Sequence, residues 1–424
     1  MNDKNLGSQK NKLKKIKKSP ELRFKGFSDD WEQRKLGELS DNIFGGGTPK
    51  TSIPEYWEGT IPWIQSSDLN TDELFNIAPN KYITDIAVKD SATKLVPANS
   101  IAIVTRVGVG KLAFMPFQYA TSQDFLSLSN LNIDNIFSIF SIYRILQKEL
   151  KNIQGTSIKG ITKPDLLAKT ISVPIKMEEQ KKIGTFFKQL DNTITLHQRK
   201  LDKLKQLKQG YLQKLFPKPG ETVPKIRFAN FEGEWEENKL AILFKKGGSG
   251  GTPKSTNPDY YGGNIPFLGI SDISNSNGYI YSTEKTITSK GLENSSAWVV
   301  PKGAISLAMY ASVGKLAILN IDAATSQAFY NMVFHDNKLR DFIYQRLLMA
   351  NEIGEWSKLI STGTQSNLNA DKVKNFNIKL PIDIKEIGKI GSIFKQLDNS
   401  ITIHQNKLNQ LKTCKKALLQ KMFI

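Results

Sequence analysis

Short runs of apolar residues, broken by Gly, Pro, Asn and Ser, recur through most of the chain. Such runs predict β-strands, because a strand needs only about four to eight residues between turns. The clearest runs are residues 101–104, 304–308, 170–173 and 377–380, and a proline ends each of the last two. Two further stretches, 136–150 and 338–350, have helical spacing. The pattern therefore predicts an α+β fold, built of mixed, strand-rich α/β units with long polar loops.

A heptad spacing of apolar residues replaces this pattern twice, in residues 178–217 and again in residues 382–424. Steps of alternately three and four residues are typical of a helix with one packed seam. At 1.5 Å per residue, about 34 residues in each helix would span roughly 50 Å. The seams contain the same residue types in the same order: Phe187, Leu190, Ile194, His197, Leu201 and Leu204 in the first, and Phe394, Leu397, Ile401, His404, Leu408 and Leu411 in the second.

Two matching seams in one chain favour helices that pack on each other. Because a whole globular segment separates them along the chain, an antiparallel coiled coil with pseudo-twofold symmetry is the natural arrangement. The alternative is that each seam packs only on its own globular unit. We interpret His197 and His404 as packed or mutually hydrogen-bonded seam residues, and not as metal ligands or catalytic groups.

The sequence contains an internal duplication. The strings that recur at an offset of 204 positions include Gly-Gly-Thr-Pro-Lys (46–50 and 250–254), Val-Gly-Lys-Leu-Ala (109–113 and 313–317) and Ala-Thr-Ser-Gln (120–123 and 324–327). The strings that recur at an offset of 207 include Phe-Lys-Gln-Leu-Asp-Asn (187–192 and 394–399). A period this long indicates duplication of a domain and not a solenoid of small units.

The duplication divides the chain into an alternating series of globular units and helices. We place globular domains at 20–177 and 218–381, and the helices at 178–217 and 382–424. The remaining segment, 1–19, is rich in lysine and is predicted to be a basic, disordered arm.

The chain is strongly basic, since 59 Lys and Arg residues against 40 Asp and Glu residues give a formal net charge of +19. A surplus of this size favours a polyanionic partner, because neutralising phosphates releases condensed counterions. Charge governs association and not fold, so charge alone leaves a merely basic protein as the alternative. We predict a nucleic acid as the partner.

A single cysteine, Cys414, excludes an internal disulfide, a cysteine-cluster zinc site and a CxxC redox pair. This cysteine usage fits a reducing interior, and we expect a cytoplasmic protein. No stretch approaches the roughly 18 apolar residues of a membrane span, and the N-terminal segment lacks the apolar core of a signal peptide. We therefore expect no membrane partner.

The Gly-Gly-Thr-Pro-Lys loops carry candidate contacts to nucleic acid. Glycine permits close approach and exposes backbone N–H groups to an anion, while Thr and Lys can bond to phosphate or to base edges. A single copy would be read as a tight polar turn, but the same string in both copies favours a loop that faces nucleic acid. The candidates from these loops are Thr48, Lys50, Thr252 and Lys254.

Other loop positions match between the copies, and Gln and Lys side chains there could read bases or phosphate. Each is equally compatible with a role in bracing its loop. The matched candidates are Ser67 with Ser271, Lys111 with Lys315, and Gln123 with Gln327. Where the copies differ, the differences would carry the discrimination if the two units read different sequences. The differing positions are Arg106 opposite Tyr310, Asp124 opposite Ala328, and Gln65-Ser66 opposite Gly269-Ile270, and we include Arg106 and Tyr310 among the candidate contacts.

No catalytic constellation is found in the sequence. The string nearest to a methyltransferase Asn/Asp-Pro-Pro-Tyr/Phe motif is Asn257-Pro258-Asp259-Tyr260, whose third residue is Asp. The glycines before Lys111 lack the spacing of a P-loop, and no Ser or Thr follows that lysine. We predict a protein that is not an enzyme and that binds no cofactor or metal by itself.

The chain resembles the specificity subunits of type I restriction–modification enzymes over its whole length apart from the basic arm. The features that carry the resemblance are the tandem Gly-Gly-Thr-Pro-Lys units, the Ala-Thr-Ser-Gln strings and the two Phe-Lys-Gln-Leu-Asp-Asn helices, in duplicated order. The resemblance implies target recognition domains at 20–177 and 218–381, each reading one half of a bipartite, asymmetric site in double-stranded DNA. It also implies that the helices act as a spacer and as a docking surface for two modification subunits.

In that family the modification subunits bind S-adenosylmethionine and methylate adenine, and restriction subunits that use ATP and Mg²⁺ can join them. The resemblance therefore assigns these cofactors to partner subunits and none to this chain. Two alternatives stay open. A stand-alone regulatory DNA-binding protein would bind tightly without a partner, and a diverged methyltransferase would bind S-adenosylmethionine by itself.

Overall fold

The structure, a computed structural model, describes residues 19–152, 160–360 and 367–424. The basic arm predicted at 1–19 lies outside these residues except for Ser19. The described chain divides into two compact units. Residues up to Leu196 together with Leu408–Ile424 form unit 1, and His197–Lys407 form unit 2. Each unit therefore contains one globular domain and a part of each long helix.

Unit 1 is built around the antiparallel sheet β2-β8-β5-β6, beside which lie the sheet β4-β3-β7 and the pair β1-β9. Its strands are β1 (Glu32–Lys35), β2 (Ser40–Gly45), β3 (Ile61–Ile64), β4 (Lys81–Ile83), β5 (Ser100–Val104), β6 (Leu112–Met115), β7 (Ala120–Thr121), β8 (Phe125–Leu131) and β9 (Thr170–Val173). Its helices are α1 (Asp85–Lys89), α2 (Asn135–Asn152), α3 (Lys163–Leu167) and the first part of α4 (Met177–Lys214).

Unit 2 repeats this plan with the sheets β11-β19-β16-β17-β13 and β14-β12-β18-β15 and the pair β10-β20. Its strands are β10 (Glu236–Lys239), β11 (Lys246–Ser249), β12 (Tyr261–Leu268), β13 (Tyr279–Ile280), β14 (Lys285–Ile287), β15 (Val299–Val300), β16 (Ile305–Ala308), β17 (Leu316–Leu319), β18 (Ala323–Thr325), β19 (Phe329–Val333) and β20 (Asn377–Leu380). Its helices are α5 (Ile270–Asn275), α6 (Ser289–Glu293), α7 (Asn337–Glu352), α8 (Glu355–Leu359), α9 (Ala370–Lys374) and most of α10 (Ile384–Met422).

The elements predicted from the apolar runs are confirmed. The four runs form β5, β16, β9 and β20, and the two helical stretches form α2 and α7. Residues 101–104 of β5 are apolar because the strand is buried throughout, between β8 and β6. The chain thus has the predicted α+β character, with two tandem mixed domains and a long helix after each.

The last residues of the first repeat pack into the core of unit 2, which the second repeat mainly forms. The last residues of the second repeat pack into the core of unit 1, which the first repeat mainly forms. In unit 1, the Phe423 ring lies 5.3 Å from the ring of Phe137 and 5.6 Å from that of Phe187. In unit 2, the Phe216 ring lies 5.1 Å from Phe342 and 6.0 Å from Phe394. The string Leu-Gln-Lys-Leu/Met-Phe, which ends both repeats, therefore completes a core made by the other one.

Ion pairs accompany these aromatic contacts between the helices. In unit 1, Lys415 Nζ lies 2.6 Å from Asp191 Oδ1. In unit 2, Lys208 Nζ lies 2.7 Å from Asp398 Oδ1. Within each unit, later residues of one helix meet earlier residues of the other, so the helix segments run antiparallel there.

The string Pro-x-x-Arg-Phe at the start of each domain fixes the first turn of the long helix that follows. Arg23 donates to Glu179 over 2.6 and 2.8 Å. Arg227 donates to Glu386 over 2.8 and 2.7 Å. Each pair is bidentate, and both carboxylates are buried. The sequence shows this string twice, but the glutamate that each arginine binds lies 156 or 159 residues away and is visible only in the fold.

Candidate nucleic-acid interface

In each unit, the carboxyl ends of two parallel strands bring together loops that are far apart in sequence. In unit 1, β3 and β7 lie parallel, and the Ser122 N–H donates to the Ile64 carbonyl over 3.0 Å. In unit 2, β12 and β18 are parallel in the same way. We call the surface at these ends the strand-end face; its segments are 46–50, 65–68, 105–111 and 122–124 in unit 1, and 250–254, 269–272, 309–315 and 326–328 in unit 2.

Two motifs that the sequence singled out meet on this face. Thr48 Oγ1 donates to Gln123 Oε1 over 2.5 Å in unit 1. Thr252 Oγ1 donates to Gln327 Oε1 over 2.6 Å in unit 2. All four residues are exposed. The Gly-Gly-Thr-Pro-Lys and Ala-Thr-Ser-Gln strings thus form one local unit, built twice.

The glycines of these loops serve close packing. The amide N–H groups of Gly47 and Gly251 donate over 2.9 Å to the carbonyls of Thr121 and Thr325. A Cβ on Gly46 would lie 1.8 Å from the Ser122 carbonyl oxygen, so no side chain fits there. The expectation that the glycines expose N–H groups to an anion is therefore wrong for the Gly47 and Gly251 amides, which are bonded within the protein.

Lys50 and Lys254 end these loops and are exposed. In unit 1, the Trp57 indole N–H donates to the Lys50 carbonyl over 3.3 Å. In unit 2, the Tyr261 hydroxyl donates to the Pro253 carbonyl over 2.7 Å. Aromatic side chains therefore hold the backbone in both copies and place one cation at a defined position on each face.

In the repeated Ser-Asp pair, the serine is exposed, and the aspartate accepts hydrogen bonds that hold the loop; we call this aspartate the acidic brace. Asp68 accepts hydrogen bonds from the Gln65 amide at 2.9 Å and from the Asn80 side chain at 2.6 Å. Asp272 likewise accepts from two backbone amides, at 2.8 and 3.0 Å. Ser67 is exposed, whereas the exposed Ser271 donates to Glu284 over 2.9 Å. The aspartates fix the loops that present the two serines.

Lys111 and Lys315 both bind the protein itself. Lys111 Nζ donates to the Ser66 carbonyl over 3.0 Å, and Lys315 Nζ donates to Ser274 Oγ over 3.1 Å. Of the two interpretations left open by the sequence, these contacts favour loop bracing. Their direct contact with nucleic acid stays a prediction.

Arg106 and Tyr310 lie at equivalent positions in the loop that follows β5 in unit 1 and β16 in unit 2, and the copies differ there; we call this position the tip. The Arg106 side chain is 64% exposed, and its Nε lies 3.9 Å from Asp124 Oδ1. Tyr310 is 41% exposed, and Ala328 stands where unit 1 has Asp124. The two faces therefore share a frame and differ in charge at this tip.

The helix seams are buried or half-buried at every predicted position in the part of the chain that the structure describes. Phe187, Leu201, Phe394, Leu397 and Leu408 are buried. The half-buried positions are Leu190, Ile194, His197, Leu204, Ile401, His404 and Leu411. In unit 2, His197 Nδ1 lies 2.9 Å from His404 Nδ1, so one ring donates a hydrogen bond and the other accepts it.

We expect acidification to weaken this histidine pair. Burial, with the nearby charges of Lys200 and His197, lowers the pKa of His404. A pKa below its unfolded value means that the stabilisation is present above pH 6.5 and is lost as the pH falls through the lowered pKa. Urea unfolding at pH 7.5 and 5.5 should show a larger loss of stability for the unaltered protein than for His404→Gln. Equal losses would contradict the assignment.

The repeated strings contain Asp191 and Asp398, and the two repeats end at equivalent phenylalanines, Phe216 and Phe423, but the sequence pattern gives none of these residues a role. The two aspartates lie beside the seam and not on it, so the heptad pattern does not select them. The signal was present, because each residue recurs at an offset of 207 together with its partner: Lys208 and Lys415 are also equivalent. A repeated acidic residue beside a seam, matched by a repeated lysine, would have found the pairs.

The described residues contain no group of three or more His, Cys, Asp or Glu side chains that could hold a metal ion. Among the helices that the structure describes, none is long and apolar enough to cross a membrane.

Paired faces on a duplicated α/β frame, in a strongly basic chain, are the features of a DNA-recognition protein. The family model for the type I restriction modification DNA specificity domain matches residues 28–206 and 232–413. The chain belongs to this family and carries two such domains in tandem.

Individual relatives agree with this assignment. The specificity subunit of type I restriction enzyme MjaIX from Methanocaldococcus jannaschii is 30% identical over 172 residues, 39% of each chain. A type I restriction enzyme specificity subunit of Escherichia coli is 34% identical over 217 residues, 48% of this chain and 52% of that one. The chain thus spans about two fifths and half of the length of these relatives.

A solved structure supports the fold. The type I restriction-modification S subunit from M. genitalium is 17% identical and superposes with a TM-score of 0.67, over 96% of this chain and 99% of that one.

Proposed function

We propose that this chain is the DNA-recognition subunit of a type I restriction–modification complex, in which each strand-end face reads one half of a bipartite, asymmetric site. The duplication of the face carries the proposal. The Thr–Gln pair, the terminal lysine and the acidic brace recur in both units, while the tips differ. The two faces share most of their residues but differ at Arg106 and Tyr310. This suits the reading of two different sequences, because shared contacts to the phosphates position the protein and differing contacts to the bases give sequence specificity.

The shared residues supply the positioning contacts. Because Gln123 Oε1 already accepts a hydrogen bond from Thr48, the amide is held in one orientation and its NH₂ group remains available to an acceptor. Gln327 is held in the same way by Thr252. Lys50 and Lys254 add one cation on each face for phosphate.

The paired long helices are the proposed spacer and docking surface. Leu196 and Ile403 are exposed apolar residues at equivalent positions, one in each unit. Two equivalent apolar sites suit two copies of one partner, the modification subunit, which would carry S-adenosylmethionine and methylate adenine. Restriction subunits with ATP and Mg²⁺ would complete a cytoplasmic host-defence complex, and this chain would hold no cofactor and catalyse no step.

The test is a map of methylated adenines. The chain is co-expressed with its modification subunit in a host without DNA methylation, and modified adenines are located by sequencing. We expect one split motif with a fixed spacer. Exchanging residues 222–380 for those of a relative should change one half of the motif and leave the other half and its modification level unchanged.

Two outcomes would contradict the proposal. If the subunits co-purify but no split motif appears, the faces do not recognise DNA in this way. If the subunits do not associate and the chain alone binds a specific duplex tightly, it is a stand-alone regulatory DNA-binding protein. The modification subunit without this chain is the control, and it should leave the DNA unmethylated.

A further inference from the structure

We propose that Arg106, oriented by Asp124, reads a guanine in the half-site bound by unit 1, and that unit 2 makes no such demand at the matching position. The inference rests on the proposed function and names the base that one face requires. It starts from a place on the strand-end face where a charged pair in unit 1 is replaced as a pair in unit 2.

The backbone under this tip is the same in both units. The Thr105 amide donates to the Asp124 carbonyl over 2.7 Å, and the Met309 amide donates to the Ala328 carbonyl over 2.8 Å. A second backbone hydrogen bond is also shared: the Ile161 amide donates to the Thr105 carbonyl over 2.7 Å, and the Leu368 amide donates to the Met309 carbonyl over 2.9 Å. Arg106 and Tyr310 therefore leave the frame at equivalent points, and the side chains alone differ.

The two members of the unit 1 pair change together. Arg106 approaches Asp124 at 3.9 Å, and the carboxylate, 18% exposed, also accepts a long hydrogen bond of 3.5 Å from the Ser122 hydroxyl. Unit 2 has Tyr310 and Ala328 in their places, so the guanidinium and the carboxylate are both missing there. At 3.9 Å the carboxylate attracts the exposed guanidinium without a hydrogen bond, and we assign Asp124 as a positioning residue that draws Arg106 toward this side of the loop when DNA is bound.

An exposed guanidinium at this position suits guanine. Its closest approach to Asp124 is through Nε, the nitrogen nearest the backbone, so the outer Nη groups remain for a ligand. Two parallel N–H donors match the O6 and N7 acceptors that guanine presents in the major groove. Tyr310 has a single hydroxyl and cannot present this pair of donors.

A phosphate contact explains the difference between the copies less well. Both units need phosphate contacts, and both already have an exposed lysine at the same place, Lys50 in unit 1 and Lys254 in unit 2. A cation needed only for phosphate would be expected in both tips. The guanidinium is found in one tip and comes with its own carboxylate, which favours a base contact specific to one half-site.

The experiment uses the complex with the modification subunit and the methylation map. Arg106→Lys keeps the charge but loses the two-pronged donor set. We expect it to reduce discrimination at one guanine of one half-site by about ten- to a hundredfold, with the other half-site unchanged. Asp124→Asn should relax the same position by a smaller factor. The paired exchange Tyr310→Arg with Ala328→Asp should add a guanine preference to the other half-site.

The outcomes that would overturn the inference are distinct from a failure of the proposed function. An unchanged motif with Arg106→Lys, whether methylation keeps its level or falls uniformly at every site, would overturn the inference, because lysine can replace arginine at a phosphate but not at guanine. A unit 1 half-site without guanine would also refute the assignment, even though the split motif itself appears. Failure of the proposed function would already be visible in the unaltered complex, which would give no split motif. Because Arg106 and Tyr310 are exposed, co-purification of each variant checks assembly separately from reading.

Discussion

Phe423→Ala is expected to destabilise unit 1 by about 3–5 kcal/mol, although Phe423 lies in the second repeat. Its ring contacts Trp31, Phe137 and Phe187, and all four side chains are buried. Removal of the ring loses its transfer free energy and leaves a cavity among rigid aromatic neighbours, which cannot collapse to fill it. Phe216→Ala should cost unit 2 a similar amount, because its surroundings are equivalent.

Hydrogen–deuterium exchange localises the two effects, and urea unfolding gives their size. Phe423→Ala should raise exchange in β5 and β8, and Phe216→Ala should raise it in β16 and β19. Leu196→Ala, on the exposed side of α4, is the matched control and should change stability by less than about 0.5 kcal/mol. Increased exchange in the unit opposite to the one named would show that the helix ends pack elsewhere.

The second large effect is expected at the buried ion pair of unit 2. Glu386 is 0% exposed, and Arg227 is 14% exposed and donates to both of its carboxylate oxygens. Glu386→Ala leaves Arg227 without its carboxylate but with the carbonyls of Glu232 and Gly233, so we expect a cost of about 3 kcal/mol, the lower end for breaking a buried pair. The start of α10 and the strand pair β10-β20 should be the first elements to lose protection.

A double replacement separates the cost of breaking this pair from its net contribution. Arg227→Met with Glu386→Leu removes both charges and should recover most of the stability, because the desolvation cost of the pair disappears with it. The exposed pair Lys290–Asp259 is the control, and Asp259→Ala should cost less than about 1 kcal/mol. If Glu386→Ala and Asp259→Ala cost the same, burial does not govern these pairs.

Local pattern was sufficient for the main elements because their signals are local. The run at β5 is apolar because the strand is buried, and the seam through Phe187 and Leu201 has a spacing that only a helix can pack on one side. The duplication was equally accessible, since it needs only comparison of the chain with itself. Even the start of α4, at Met177, lies one residue from the predicted start.

The contacts that define the strand-end faces cannot be predicted from the local sequence pattern. Thr48 and Gln123 were both selected from repeated strings, but their hydrogen bond spans 75 positions and depends on a parallel strand pair that no periodicity indicates. The sequence predicts both the close approach at the loop glycines and N–H groups that face an anion, and the second part is wrong because the sequence does not reveal that the Gly47 amide donates to the Thr121 carbonyl. Lys111 shows the same limit, since a lysine that braces a loop and one that binds phosphate look alike in a sequence.

The exchange of helix ends sets an order for biosynthesis. Unit 1 contains the first residues of the described chain, but its core lacks Phe423 until the whole globular part of unit 2 has been translated. The segments of unit 2 that surround Phe216, from Trp235 to Phe394, all leave the ribosome before Phe423 does. The core of unit 2 can therefore be completed first, while the aromatic side chains that contact Phe423 in unit 1, those of Trp31, Phe137 and Phe187, are still uncovered. An apolar surface that stays exposed during translation makes the nascent chain prone to aggregation, and chaperones that cover such surfaces would act on the N-terminal domain.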